Sequence, residues 1–238
     1  MNNIKAVIYK QALGFLRDKS FLIQFFMFPA VAFVMTEFVA RPDDYMPDTL
    51  FVGMFAAMFA GMILIPTTAG IIAGDKEGKS LRLMVMSGVK PVQYLIGIMT
   101  VLVVFATITS LIFVAMVGAE GSSEVALFLL AMIVSVLCSI LLGASLGISA
   151  KSVQAATSTA IPVSMVLGMA PMLGMFNETI GNLFQPFYTM QTSRLIENLS
   201  ANPTEPLLII AGNLSSCFWH CANEGACKDR KVKRGTHS

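Results

Sequence analysis

The chain has 238 residues, of which 55% are hydrophobic and 13% charged, with a formal net charge of +2. A soluble domain carries roughly 25% charged residues, so this chain lacks the charge to keep a folded surface in water, and its small net charge gives no ground for a nucleic-acid partner. Four cysteines give no disulfide framework in a chain that is mostly lipid-embedded.

The charges cluster and leave long apolar runs between them. About 20 apolar residues cross ~30 Å of hydrocarbon at 1.5 Å per residue, and in lipid a helix satisfies its own backbone. The expected fold class is therefore all-α, a polytopic membrane helix bundle. Residues 2–19 form an amphipathic helix, with Ile4, Val7, Ile8, Ala12 and Phe15 on one face and Lys10 and Arg17 away from it. It reads as an interfacial helix on the membrane surface, and the alternative is a simple helical extension of the first span. No cleavable leader is expected, because the first apolar run follows this charged segment and is too long for a leader core.

The first span covers Phe21–Ala40, with Pro29 inside it and Glu37 about one turn from its far end. An acidic, Pro-rich loop, Arg41–Asp48, leads to the second span, Thr49–Ala73, which contains Pro66. The charged segment Asp75–Lys90 follows, then the third span at Val92–Gly118 and the fourth at Glu124–Ala150. Lys151 marks a tight turn into the fifth span, Val153–Phe176, which holds Pro162 and Pro171. Residues 177–204 are less hydrophobic, and a sixth apolar run starts at Leu207.

Orientation follows from the basic residues, which stay on the cytoplasmic side. Fourteen of the sixteen Lys and Arg lie in the amino-terminal segment, in Asp75–Lys90, at Lys151 and in the tail, leaving only Arg41 and Arg194 on the other side. The amino terminus is thus expected in the cytoplasm of a cell (inner or plasma) membrane, and six spans return the basic tail there. Ser139, Gly143 and Gly147, and likewise Gly53, Ala57 and Gly61, recur at a spacing that lets helices approach closely in lipid.

Gly74–Ser80, GDKEGKS, imitates a phosphate-binding loop, but three residues separate its glycines where four are needed, and an apolar helix precedes it instead of a strand. No nucleotide site is expected in this chain. Glu37 can reach water from its position, and spans two to five carry no charge at mid-membrane, which disfavours an ion- or proton-coupled carrier. The segment Asp75–Lys90 carries Leu81, Leu83, Met84, Val85, Met86 and Val89 among its charges. Such a segment suits a short helix whose apolar residues dock on a partner protein.

In this segment Glu77, Gly78, Ser80, Leu81, Leu83 and Met84 are followed by Ser87-Gly88-Val89-Lys90-Pro91 and Tyr94-Leu95-Ile96-Gly97. Later, Phe184-Gln185-Pro186-Phe187-Tyr188 precedes Arg194. The order of these motifs resembles the permease subunits of type-2 ATP-binding-cassette exporters over residues 1–214. Ser80 stands where the family usually has Thr, and the proline at position 91 comes late. The resemblance implies a coupling segment at Glu77–Met84 and a re-entrant stretch at Pro186, Phe187, Tyr188 and Arg194 before the last span. It also implies a permease homodimer or heterodimer, and a separate ATPase subunit that holds ATP and Mg, with no cofactor and no catalytic residue on this chain. The competing expectation is a membrane scaffold or channel with no ATPase partner.

After Leu214 the apolar pattern breaks into SSCFWHCANEGACKDRKVKRGTHS. Residues 215–238 form an atypical segment, altered or frameshifted, or an unusual natural tail. Its Cys217, His220, Cys221 and Cys227 match no standard zinc-ligand spacing, so no metal is expected there.

Overall fold

The computed structural model describes residues 2–40, 49–80, 86, 91–117, 121–197 and 206–217. Helix α1 covers Asn2–Arg17, and α2, Lys19–Met35, runs on through a π-helical turn at Thr36–Ala40. Helix α3, Thr49–Met58, joins α4, Leu64–Glu77, through a second π turn at Phe59–Ile63. Helices α5 (Pro91–Val117), α6 (Ser122–Ser149) and α7 (Val153–Phe176) follow. The short helices α8 (Glu178–Phe184) and α9 (Tyr188–Glu197) precede α10 (Pro206–Cys217).

Five helices are long and apolar enough to cross a membrane: Phe21–Ala40, Thr49–Glu77, Gln93–Val117, Ser122–Ser149 and Val153–Phe176. Helix α10 is too short to do so, at about 18 Å from 1.5 Å per residue. The expected sixth span would continue into residues 218–238, which lie outside the described residues.

The second span forms the centre of the bundle. Its most apolar window is 61% buried, against 28% for the first span and 33% for the fifth, whose outward sides carry Phe26, Phe33, Ile161 and Met165. Helix α4 packs on α6 and α7, α3 packs on α9, and α2 packs on α3 and α5. The two small-residue stripes make these approaches possible. A Cβ at Gly143 would lie 2.5 Å from the Ile65 carbonyl oxygen, one at Gly147 2.8 Å from that of Ala69, and one at Gly61 2.8 Å from the Cα of Gly168. Each stripe serves two neighbours, because Ser139 meets α9 and Gly53 lies against the Ser193 carbonyl of α9.

Pro66 lies inside the second span, and within a helix interior its ring and missing N–H would disturb the preceding turn. The π turn at Phe59–Ile63 shifts the hydrogen-bond register just upstream, so Pro66 falls in the first turn of α4. Helix α1 has Val7 and Phe15 of its predicted apolar face enclosed. Protein covers that face: Val7 reaches the Gly97 position of α5, and the Phe15 ring lies 5.8 Å from that of Phe105.

Candidate functional site

An acidic residue in the last turn of a helix faces the negative end of the helix dipole, so it needs donors from elsewhere. Asp75 is such a residue in α4, and it gathers four. The Lys10 ammonium donates to Oδ1 at 2.7 Å, and the Gln11 amide to Oδ2 at 3.0 Å. The Tyr94 hydroxyl donates to Oδ2 at 2.6 Å and the Ser80 hydroxyl to Oδ1 at 2.6 Å. Lys10 also donates to the Ser80 hydroxyl at 3.3 Å. One carboxylate thus joins α1, the end of α4, the start of the 75–90 segment and the first turn of α5. A carboxylate offers about four lone-pair sites, so this one is saturated.

The next two residues reach the other side of the bundle. The Lys76 ammonium donates to the carbonyls of Gly147 (3.3 Å), Ile148 (2.8 Å) and Ala150 at the end of α6. The Glu77 carboxylate accepts the Val153 N–H, at the start of α7, at 2.9 Å. Three consecutive residues therefore bind helices α1, α5, α6 and α7 to the foot of α4. The chain leaves this foot through Gly78, whose N–H closes the helix on the Gly74 carbonyl at 2.9 Å, and through Lys79 in the left-handed region at φ 56. Of the expected coupling residues, Glu77, Gly78 and Ser80 sit here, while Leu81, Leu83 and Met84 lie outside the described residues.

The second expected stretch lies farther along the bundle. Helices α8 and α9 form a helix–turn–helix that enters from the Thr49 end and returns to it. At its inner limit Thr189 contacts the Gly61 position and donates to the Leu167 carbonyl at 2.6 Å, and at its return the Thr49 hydroxyl donates to the Glu197 carbonyl at 3.5 Å. Pro186 and Phe187 form the inner turn, where the Asn213 amide of α10 donates to the Pro186 carbonyl at 2.8 Å and the Phe184 and Phe187 rings lie 5.5 Å apart. The Tyr188 hydroxyl is buried and 2.8 Å from the Ser139 hydroxyl of α6, and Thr192 meets Ser135 in the same seam. Arg194 sits half-buried on the returning helix.

Sequence reasoning named Glu77, Gly78 and Ser80 but passed over Lys10, Gln11, Asp75 and Lys76 as functional residues. Asp75 carried the available signal, as an acid where a helix end disfavours one. The GDKEGKS run holds no phosphate cradle, since Gly74–Glu77 is helical. Glu37 lies in the first π turn, at the far end of α2. Among the described residues no cluster of His, Cys, Asp or Glu is arranged as a metal site. Of the residues weighed for zinc, His220, Cys221 and Cys227 lie outside the described residues.

Residues 38–221 match the family model described as "ABC-2 family transporter protein". No curated protein matches the chain.

Proposed function

The chain belongs to the ABC-2 family of transporter proteins, and from that premise we propose that it is the membrane-spanning permease subunit of an ATP-driven exporter. It forms the translocation path, most simply as a pair of permease chains. Each chain docks a separate ATPase subunit through Glu77, Gly78, Ser80, Leu81, Leu83 and Met84. The observation that carries this reading is the foot of α4, where Asp75, Lys76 and Glu77 join four other helices at the root of the 75–90 segment. A segment rooted there can deliver a push to most of the bundle at once.

On this reading the foot of α4 faces the cytoplasm, and ATP and Mg stay on the partner. Closure of the two ATPase subunits around nucleotide moves the 75–90 segments, and the helices rock to alternate access. The stretch at Pro186, Phe187, Tyr188 and Arg194 lies on the opposite side, where its buried hydroxyl seam ties α9 to α6.

The test is to purify the tagged chain from its native membrane. A P-loop ATPase should co-purify with it, and the chain freed of that partner should bind no ATP. Leu81→Asp would place an unpaired charge in the partner's cleft at a cost of about 3–5 kcal/mol, which weakens association roughly 100-fold or more. Membrane insertion should be unchanged. Recovery of the chain without any ATPase would favour a scaffold or channel, and an undiminished yield of ATPase with Leu81→Asp would move the docking site elsewhere.

A further inference from the structure

A helix end leaves its last carbonyls and the next helix's first N–H groups without intrahelical partners. Local residues commonly supply the caps, with glycine closing the outgoing helix and a hydroxyl opening the next. At the α6–α7 turn the local supply is partial. Ala150 N–H bonds the Leu146 carbonyl and the Ser152 hydroxyl accepts the Ala155 N–H. Further caps come from another helix. Lys76 places its ammonium on the carbonyls that end α6, and Glu77 places its carboxylate on an N–H that starts α7. Both signs suit the helix dipoles they meet, and an exchange of the two charges would oppose both.

This grip has little slack. Ala69 and Ile72 of α4 press on Gly147, where an added Cβ would lie 2.8 Å from the Ala69 carbonyl oxygen and 3.0 Å from the Ile72 Cβ. The two gripping residues are also the last two of α4, directly ahead of the exposed Gly78 and Lys79.

We infer that Lys76 and Glu77 are positioning residues that carry a displacement of the 75–90 segment into the α6–α7 turn, so that the fourth and fifth spans move with the second. The inference rests on the permease reading and assigns a transmission role to residues that touch neither nucleotide nor cargo.

The test uses the chain with its four cysteines replaced by alanine, purified together with the ATPase that accompanies it and placed in lipid nanodiscs. Spin-label pairs at positions 79 and 182, and at 151 and 182, report the foot of α4 and the α6–α7 turn against the opposite end of the bundle. Distances are read by pulsed electron resonance with and without Mg and a slowly hydrolysed ATP analogue. In the otherwise unchanged chain both distances should shift with nucleotide. Lys76→Met should abolish the shift at 151, keep the shift at 79 and leave ATP hydrolysis in place, and Lys76→Arg should retain the shift at 151. A shift at 151 that survives Lys76→Met overturns the inference. Loss of both shifts together shows a merely structural clamp and overturns it as well. If no ATPase accompanies the unchanged chain, or position 79 does not respond to nucleotide, the permease reading itself fails.

Discussion

Burial pushes the Glu197 carboxyl above the usual range, and the Ser193 hydroxyl, bonded to it at 2.7 Å, and the Arg194 charge only partly offset this. A carboxyl whose folded pKa is raised holds its proton more tightly folded than unfolded. Falling pH therefore favours the fold from just above the raised value down to the unfolded value near 4.5. Above that window the ionised carboxylate costs stability. Glu197→Gln keeps an acceptor for Ser193 and removes the charge, so it should raise the melting temperature at pH 7 by roughly 2 °C, on the order of 1 kcal/mol or less for a chain of this size. The gain should vanish near pH 4. Thermal unfolding in detergent at the two pH values checks this, and a lower melting temperature at pH 7 would show that pairing with Arg194 outweighs burial. At Asp75 the balance differs: four donors from α1, α4's own exit and α5 make the charged form the natural occupant. None of these partners except Ser80 lies near it in sequence.

At the scale of helices, the seam between α4 and α6 depends on the absence of side chains. Gly143 and Gly147 admit the backbone of α4 so closely that carbonyl oxygens, which cannot rotate away, lie 2.5 and 2.8 Å from where their Cβ atoms would sit. Gly143→Val should force the helices apart at a cost of about 2 kcal/mol or more and lower the yield of folded protein. Gly212→Ala should do neither, since nothing lies within 4 Å of its Cβ position. Size-exclusion profiles and melting curves of the two variants make the comparison. Equal behaviour would mean that α4 and α6 sit farther apart. The seam between α6 and α9 uses the opposite device. Tyr188, Thr189 and Thr192 are buried yet satisfied by Ser139, the Leu167 carbonyl and Ser135. Their polarity makes residues 177–204 less hydrophobic than the spans, yet Tyr188–Ser193 and Leu195–Ile196 are all buried.

For the whole molecule, the contacts at the foot of α4 put α1, residues 75–80 and the α6–α7 turn at one end of the bundle. The contacts of Thr49 and Gly53 put the end of α9 at the other. Among the described residues, Lys10, Lys76, Lys79 and Lys151 gather at the first end, and Arg194 lies on the helix that ends at the other. We predict that a cysteine at position 79 in a cysteine-free chain reacts with a membrane-impermeant maleimide only after the membrane is opened, whereas one at position 182 reacts in intact cells. The reverse pattern would invert the orientation and remove the 75–90 segment from any cytoplasmic ATPase.

Five long helices, their order, the family and the charged segment between the second and third spans were all legible in the sequence. Each is a property of contiguous residues: an apolar run is measured against the bilayer thickness, and a motif by the order of its members. The sequence also marked which glycines would admit neighbours, through their spacing, but not which neighbours. Tertiary structure alone decided that Asp75 binds residues 64 and 65 positions away, that Lys76 and Glu77 grip a turn more than 70 positions on, and that the hydroxyls of α9 meet Ser135 and Ser139 of α6. It also decided that the apolar face of α1 rests on α5. A side chain's type limits what it can bond, but its partner depends on which helix ends the folded bundle brings together, and no local pattern encodes that meeting.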